Sequence, residues 1–146
     1  MQTIFTLPAY VGIILIKNNE CLLIKRHNTD WAAGSWNFPG GLLEKDESLP
    51  AAAAREAHEE LGIKIDPATL TLVHVLQVTA STVNTKDIFG FYFTTTIWSG
   101  EPINNEPHRH SEIGWFHFDA LPELTTTHAL QAIEGLTKNI RYSENR

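Results

Sequence analysis

Residues Gly41 to Ile63, GLLEKDESLPAAAAREAHEELGI, constrain the fold more than any other stretch, because the start, end, buried face and charged face of one helix are all legible in them. Ser48 is a good N-cap, Pro50 suits a first turn, Ala51 to Ala54 are the strongest helix formers, and Gly62 suits a left-handed C-cap. The pattern predicts a helix from about Leu49 to Leu61. Leu49, Ala52, Ala53, Ala57 and Leu61 follow the i, i+3, i+4 rule, giving an apolar stripe of mainly small side chains that can lie close against a sheet.

The remaining surface of this helix is acidic. Glu56 lies four residues before Glu60 and three before Glu59, so the three carboxylates project from neighbouring positions. Like charges at that spacing repel, and hard oxygen donors grouped in this way suit Mg2+ or Mn2+ rather than a soft metal. Arg55, eight residues after Glu47 and four before Glu59, is placed to bridge and orient acids. A lone E-x-x-E-E run is usually a solvated helix face with ordinary ion pairs. Here glycines at both ends, Glu47 and the Arg55-Glu56 pair coincide with it, which favours a site for metal and phosphate.

Gly41 to Ile63 matches every fixed position of the Nudix box, and the chain resembles a Nudix hydrolase. The resemblance implies an α/β (α+β) fold, an α/β/α sandwich with a mixed β-sheet, and hydrolysis of a nucleoside diphosphate linked to another group. Trp36-Asn37-Phe38-Pro39-Gly40-Gly41 resembles the lead-in of MutT-like nucleoside triphosphate diphosphatases. Asn104-Asn105-Glu106-Pro107, Ile113-Gly114-Trp115-Phe116 and Leu121-Pro122 are similar to the MutT-like branch that includes eukaryotic thiopurine-nucleotide diphosphatases. The resemblance spans roughly residues 9 to 135, with the box its specific part.

Carried over position by position, the resemblance makes Glu59 and Glu60 metal ligands and the Gly40 carbonyl a further one. Glu56 either binds metal or activates the water. Glu47 and Arg55 orient the catalytic helix. Glu106 is the candidate for an acid from outside the box, in a polar loop before a predicted strand, with Glu101 and Glu112 as competitors. The implied cofactor is Mg2+, with Mn2+ as a possible substitute. The implied reaction cleaves a (d)NTP, whether unmodified, oxidised or otherwise modified, to the monophosphate and pyrophosphate.

Other readings stay open. ADP-ribose, nucleotide-sugar or dinucleoside polyphosphate hydrolysis is the enzymatic alternative, although the ADP-ribose branch usually carries a proline about sixteen residues past the box, where this chain has Thr79. Pterin triphosphates also remain open, and isoprenoid isomerisation would need acid-base residues that the sequence does not display. A nucleotide-binding sensor without turnover is the alternative of another class, against which the intact set of Glu47, Arg55, Glu56, Glu59 and Glu60 argues.

Length and charge agree with one enzyme domain over 1–146. A chain of 146 residues buries roughly two-thirds of its unfolded surface, enough for a core without staples. A net charge of −6 argues against a nucleic-acid partner, and single Cys21 excludes an internal disulfide and suits a reducing cytoplasm. The apolar run Val11 to Ile16 is too short to span a membrane, and the N-terminus lacks the basic region of a signal peptide. A homodimer is expected only from the family resemblance.

Tyr10 to Lys17 and Cys21 to Arg26 read as a hairpin around Asn18-Asn19-Glu20, and Leu70 to Thr79 and Asp87 to Trp98 as a second. Short strands are expected at Ser35 to Phe38 and Gly114 to His117, with a second helix from about Thr127 to Leu136. Phe89, Phe91 and Phe93 alternate on one strand face and read as core. Gly90, Tyr92 and Thr94 occupy the other face, where Gly90 leaves room for a planar base and Tyr92 could line it. Trp36 and Trp115 are alternative stacking partners, with a buried structural role as the simpler reading. Arg26 ends a predicted strand and could clamp phosphate or stand as a solvent charge. His108-x-His110 has spacing that zinc could use, but polar loop is the default there.

Overall fold

The computed structural model describes residues 2–81 and 84–146. Strands β1 (Ala9–Lys17), β2 (Glu20–Arg26), β3 (Trp36–Asn37) and β4 (Gly40–Leu42) lead into helix α1 (Leu49–Leu61). After a short 3-10 turn at Pro67–Thr69 come β5 (Thr71–Val78), β6 (Ile88–Thr95), β7 (His110–His117), α2 (Thr127–Lys138) and β8 (Tyr142–Asn145). The sheet runs β3-β2-β1-β6-β5-β8, with β4 also paired to β1 and β7 to β2. It is mixed, because β1 with β6 and β5 with β8 are parallel and the remaining pairs antiparallel.

Alternation along the strands divides the core between the two sheet faces. Val11, Ile13 and Leu15 of β1 pack with Leu22, Ile24 and Phe93 against the Ala52, Ala53, Ala57 and Leu61 stripe of α1. On the other face Ile14, Leu23, Phe38, Leu76 and Tyr92 meet Ala129, Ala132 and Ile133 of α2. This is the expected α/β/α sandwich. Helix α1 carries the caps its sequence predicts, with the Ser48 hydroxyl accepting from the Ala51 amide and Gly62 closing the helix at φ 71°, and Thr126 and Asn139 cap α2 in the same way.

The first hairpin differs from the sequence expectation. Asn18 and Asn19 both take positive φ, 52° and 64°, which makes the two-residue turn and puts Glu20 inside the strand. Only Ile16↔Cys21 and Lys17↔Glu20 then pair. Beyond them the strands part and a wedge enters: the Ile13 amide donates to the Pro39 carbonyl at 2.9 Å, and Gly40 and Gly41 pair with Gly12 and Val11. That wedge delivers the Gly-Gly turn to the underside of α1. Buried Cys21 lies on β2, where burial pushes its thiol up to about 12 and leaves it a core residue at neutral pH.

Candidate active site

The wedge works only with glycine. A Cβ at Gly41 would collide with the Glu56 carboxylate, and one at Gly40 would collide with the Val11 carbonyl and stand 2.6 Å from the Tyr10 hydroxyl. The strand therefore passes close enough for the Gly40 amide to donate to both carboxylate oxygens of Glu60, at 3.3 and 3.4 Å. Gly41→Ala is expected to displace Glu56 and lower turnover by on the order of 10²-fold, because small misplacements in a preorganised site carry penalties of that size. Steady-state kinetics of that variant at wild-type values would contradict the close packing.

Arg55 is the hub of the acidic face. Its Nε and one terminal nitrogen donate to the two Glu47 oxygens at 3.0 and 2.8 Å, a bidentate pair. The other terminal nitrogen donates to Glu56 at 2.9 Å and reaches Glu59 at 3.4 Å, while the nitrogen that serves Glu47 also donates to the Leu42 carbonyl at 3.1 Å. Glu47 also accepts from the Glu44 amide at 2.7 Å, so it fastens the loop before α1 to the helix. Hydrogen bonds from Arg55 hold the Glu47 carboxyl below its ordinary value.

Glu60 is the buried acid, with 5% of its surface exposed. Burial first, then the Glu56 charge, push its carboxyl well above its ordinary value, and Glu106 adds to this. Burial likewise raises Glu56, although Arg55 opposes it. Glu59 lies at the rim with its side chain 49% exposed.

Glu106 arrives through the loop that closes the end of α1. The Ile103 and Asn105 amides donate to the Leu61 and Glu60 carbonyls at 3.0 and 2.9 Å, and the Asn105 side chain donates to the Glu59 carbonyl at 3.1 Å. Carbonyls that a helix end leaves unpaired are thereby satisfied, and the loop is held against the acidic face. Ligand atoms of Glu60, Glu106 and His110 all lie within 4.8 Å of one another. His110 is buried and its Nδ1 has no hydrogen-bond partner among the described residues. Burial, assisted by Arg109 and Arg26, lowers its ring to about 4, so the ring is neutral at pH 7. The buried Glu60 carboxyl, pushed toward protonation, with the Glu106 carboxylate and a neutral imidazole beside it, fits a divalent cation.

Beside this cluster, on the α2 side of the sheet, lies a cavity of about 230 Å³ lined by Tyr10, Arg26, Trp31, Asn37, Gly90, Tyr92 and His128, among others. The Trp31 and His128 rings stack with centroids 5.0 Å apart. The Arg26 guanidinium lies 5.1 Å from the Trp31 ring centre, and its Nε donates to the Trp31 carbonyl at 2.8 Å. Arg26 lines the cavity, and burial lowers its value while the Tyr10 and Glu60 charges oppose that.

A comparison of the sequence with known families matches residues 6–135 to the NUDIX domain. The chain belongs to the Nudix family. It is 33% identical over 90 residues to the 8-oxo-dGTP diphosphatase of Proteus vulgaris, covering 62% of this chain and 76% of that protein. It is 34% identical over 74 residues to the CTP pyrophosphohydrolase of Escherichia coli K12, covering 51% of this chain and 55% of that protein. A crystal structure of a MutT NUDIX hydrolase from Burkholderia pseudomallei superposes with a TM-score of 0.82 at 32% identity, covering 90% of this chain and 99% of the other. The MutT-like resemblance and the sandwich fold stand on these matches.

In this Nudix protein Glu47, Arg55, Glu56 and Glu59 form one hydrogen-bonded group, and Gly40, Glu60 and Glu106 converge beside it. Glu101 and Glu112 are exposed and stand outside the cluster of donors around Glu60. Tyr92 and Gly90 do face the cavity, but the Tyr92 ring leans back over the glycines, 3.1 Å from where a Gly90 Cβ would stand, and takes up part of the room expected there. Trp36 and Trp115 do not line the cavity. Trp36 packs edge-on against Phe116 in the α2-side core, and Trp115 stacks on Trp98 against the α1-side core, so both have the structural role. Sequence reasoning missed Tyr10, Trp31, Asn37 and His128, and it left His110 in a polar loop. His110 instead begins β7 and is buried. Its spacing of four from Glu106 was the available signal.

Proposed function

We propose that this Nudix protein hydrolyses a nucleoside triphosphate, unmodified or oxidised, to the monophosphate and pyrophosphate with Mg2+, for which Mn2+ can substitute. The observation that carries this reading is a cavity of about 230 Å³, roomy enough for a nucleobase, whose lining includes Arg26, a cation that the Glu60 charge reaches. The named activities of the related 8-oxo-dGTP diphosphatase and CTP pyrophosphohydrolase support it.

Glu59, Glu60, Glu106 and the Gly40 carbonyl would hold the metal, and Glu56 would either join them or act on the water. A bound divalent ion would offset the charge of the triphosphate, polarise phosphoryl oxygens and make water nucleophilic near neutral pH. Glu56, raised by burial and aligned by Arg55, is suited to take the proton from the attacking water, because a raised carboxylate is the stronger base. Glu47 and Arg55 hold that carboxylate in place. Arg26 clamps phosphate, and Tyr92, Trp31 and His128 line the base side of the cavity.

Glu59→Gln is expected to remove most turnover while leaving the melting temperature near wild type, because the side chain is half exposed and its contact with Arg55 is a long one of 3.4 Å. Near-normal activity of that variant with Mg2+ would sink its role as ligand. The substrate reading is tested by product analysis across unmodified and oxidised triphosphates, ADP-ribose and dinucleoside polyphosphates. Pyrophosphate from triphosphates supports it. Turnover confined to ADP-ribose or dinucleotides moves the substrate class, and tight binding without turnover identifies a sensor.

A further inference from the structure

We infer that His110 is a nitrogen ligand of the metal held by Glu60 and Glu106, and that it shifts the site's preference from Mg2+ toward Mn2+. This rests on the metal-dependent reading of the same site and adds to it a donor of a different chemical kind.

The backbone aims His110 at the acids. Where β2 pairs with β7, Lys25 faces Glu112 and Arg26 faces His110, so Ser111 is skipped and the strand carries a bulge. Such bulges re-aim the side chains beside them. The residue is then pinned at both backbone polar groups: its amide donates to the Glu106 carbonyl at 3.0 Å, and its carbonyl accepts from the Asn104 side chain at 2.7 Å. Glu106 and His110 are thus locked together in one turn.

The ring itself is incompletely satisfied. His110 is 4% exposed, and its Nδ1 is shut off from solvent without a hydrogen-bond partner among the described residues. Leaving a buried polar atom unpaired is costly, so a partner is expected. One ring nitrogen lies within 4.8 Å of carboxylate oxygens of both Glu60 and Glu106, too loosely spaced for direct ion pairs. Two ligands on opposite sides of an ion bound at about 2.1 Å stand about 4.2 Å apart. An ion held by all three groups would draw them closer, because at most one pair can stand opposite and adjacent ligands stand about 3.0 Å apart. Carboxylates alone suit Mg2+, whereas an added imidazole favours first-row transition cations.

The test uses the full chain loaded with Mn2+. Pulsed electron paramagnetic resonance should show modulation from a coordinated 14N nucleus in wild type, retained in His108→Gln and lost in His110→Gln. Mn2+ affinity of His110→Gln should fall roughly tenfold or more, while Mg2+ affinity, measured by competition, changes less than about threefold. Absence of nitrogen modulation in Mn2+-loaded wild type would overturn the assignment whether or not the variant folds, and so would modulation lost in His108→Gln instead. The outcome is separable from that of the proposed reaction. Triphosphate turnover with no nitrogen signal defeats the ligand alone, and a nitrogen signal without turnover defeats the reaction alone.

Discussion

Glu60→Gln is expected to lower metal-dependent turnover by on the order of 10³-fold and, in chelator, to melt a few degrees above wild type. The two effects share one cause. Glu60 is 5% exposed, and burial together with the Glu56 and Glu106 charges disfavours its ionised form. Without metal that charge is a liability, and glutamine keeps the shape while removing it. With metal the charge is the reason the site binds. Few purely structural residues would give a loss of activity together with a gain of stability.

The same variant carries a pH signature. The Glu60 value in the folded protein is raised above the ordinary 4.5, so the folded state binds the proton more tightly than the unfolded chain. Stability from this residue is therefore full below that ordinary value and is lost as pH rises toward and through the raised one. Glutamine does not titrate. In chelator the melting-temperature advantage of Glu60→Gln should open as pH rises above 4.5 and vanish below it. Thermal melts of both proteins across pH check this, and an advantage that grows as pH falls would contradict it.

Arg55→Ala is the second large effect. Alanine would strip the bidentate pair from Glu47, the 2.9 Å bond from Glu56 and the 3.1 Å bond from the Leu42 carbonyl together. The acids at positions 47, 56, 59 and 60 would then repel without a cation on the helix. The melting temperature should fall by roughly 4–8 °C, and turnover by on the order of 10²-fold through the loss of Glu56 alignment. Arg55→Lys should recover little of either, because an ammonium cannot serve two carboxylates in a planar fork. Full rescue by lysine would reduce Arg55 to a simple counter-charge.

How much of this was legible depends on whether the signal is local. The α1 boundaries, its Ser48 and Gly62 caps and its alanine stripe lie within one turn of the residues that encode them, and all were readable. The second helix was found too, and the structure carries it two residues further, to Lys138 before the Asn139 cap. The strand Gly40–Leu42 has three residues and no alternation, and Tyr142–Asn145 is polar, so neither carries a pattern that periodicity could detect. The acids of the helix were legible because their spacing is helical. The donors that join them from elsewhere were less so: Glu106 could be nominated from its loop, but the burial of His110 follows from a bulge set by the pairing of β2 with β7. The cavity likewise assembles Arg26, Trp31, Tyr92 and His128 from four separate segments, and the stacking of Trp31 on His128 exists only in three dimensions.

The central claim is that these carboxylates and this cavity act together on one triphosphate. Its most direct test is a balance of products from a nucleoside triphosphate incubated with the wild-type protein, with Mg2+ and with excess chelator. Monophosphate and pyrophosphate should appear in equal amounts with Mg2+ and be abolished by chelator. Release of inorganic phosphate with a nucleoside diphosphate, or equal turnover in chelator, would contradict it.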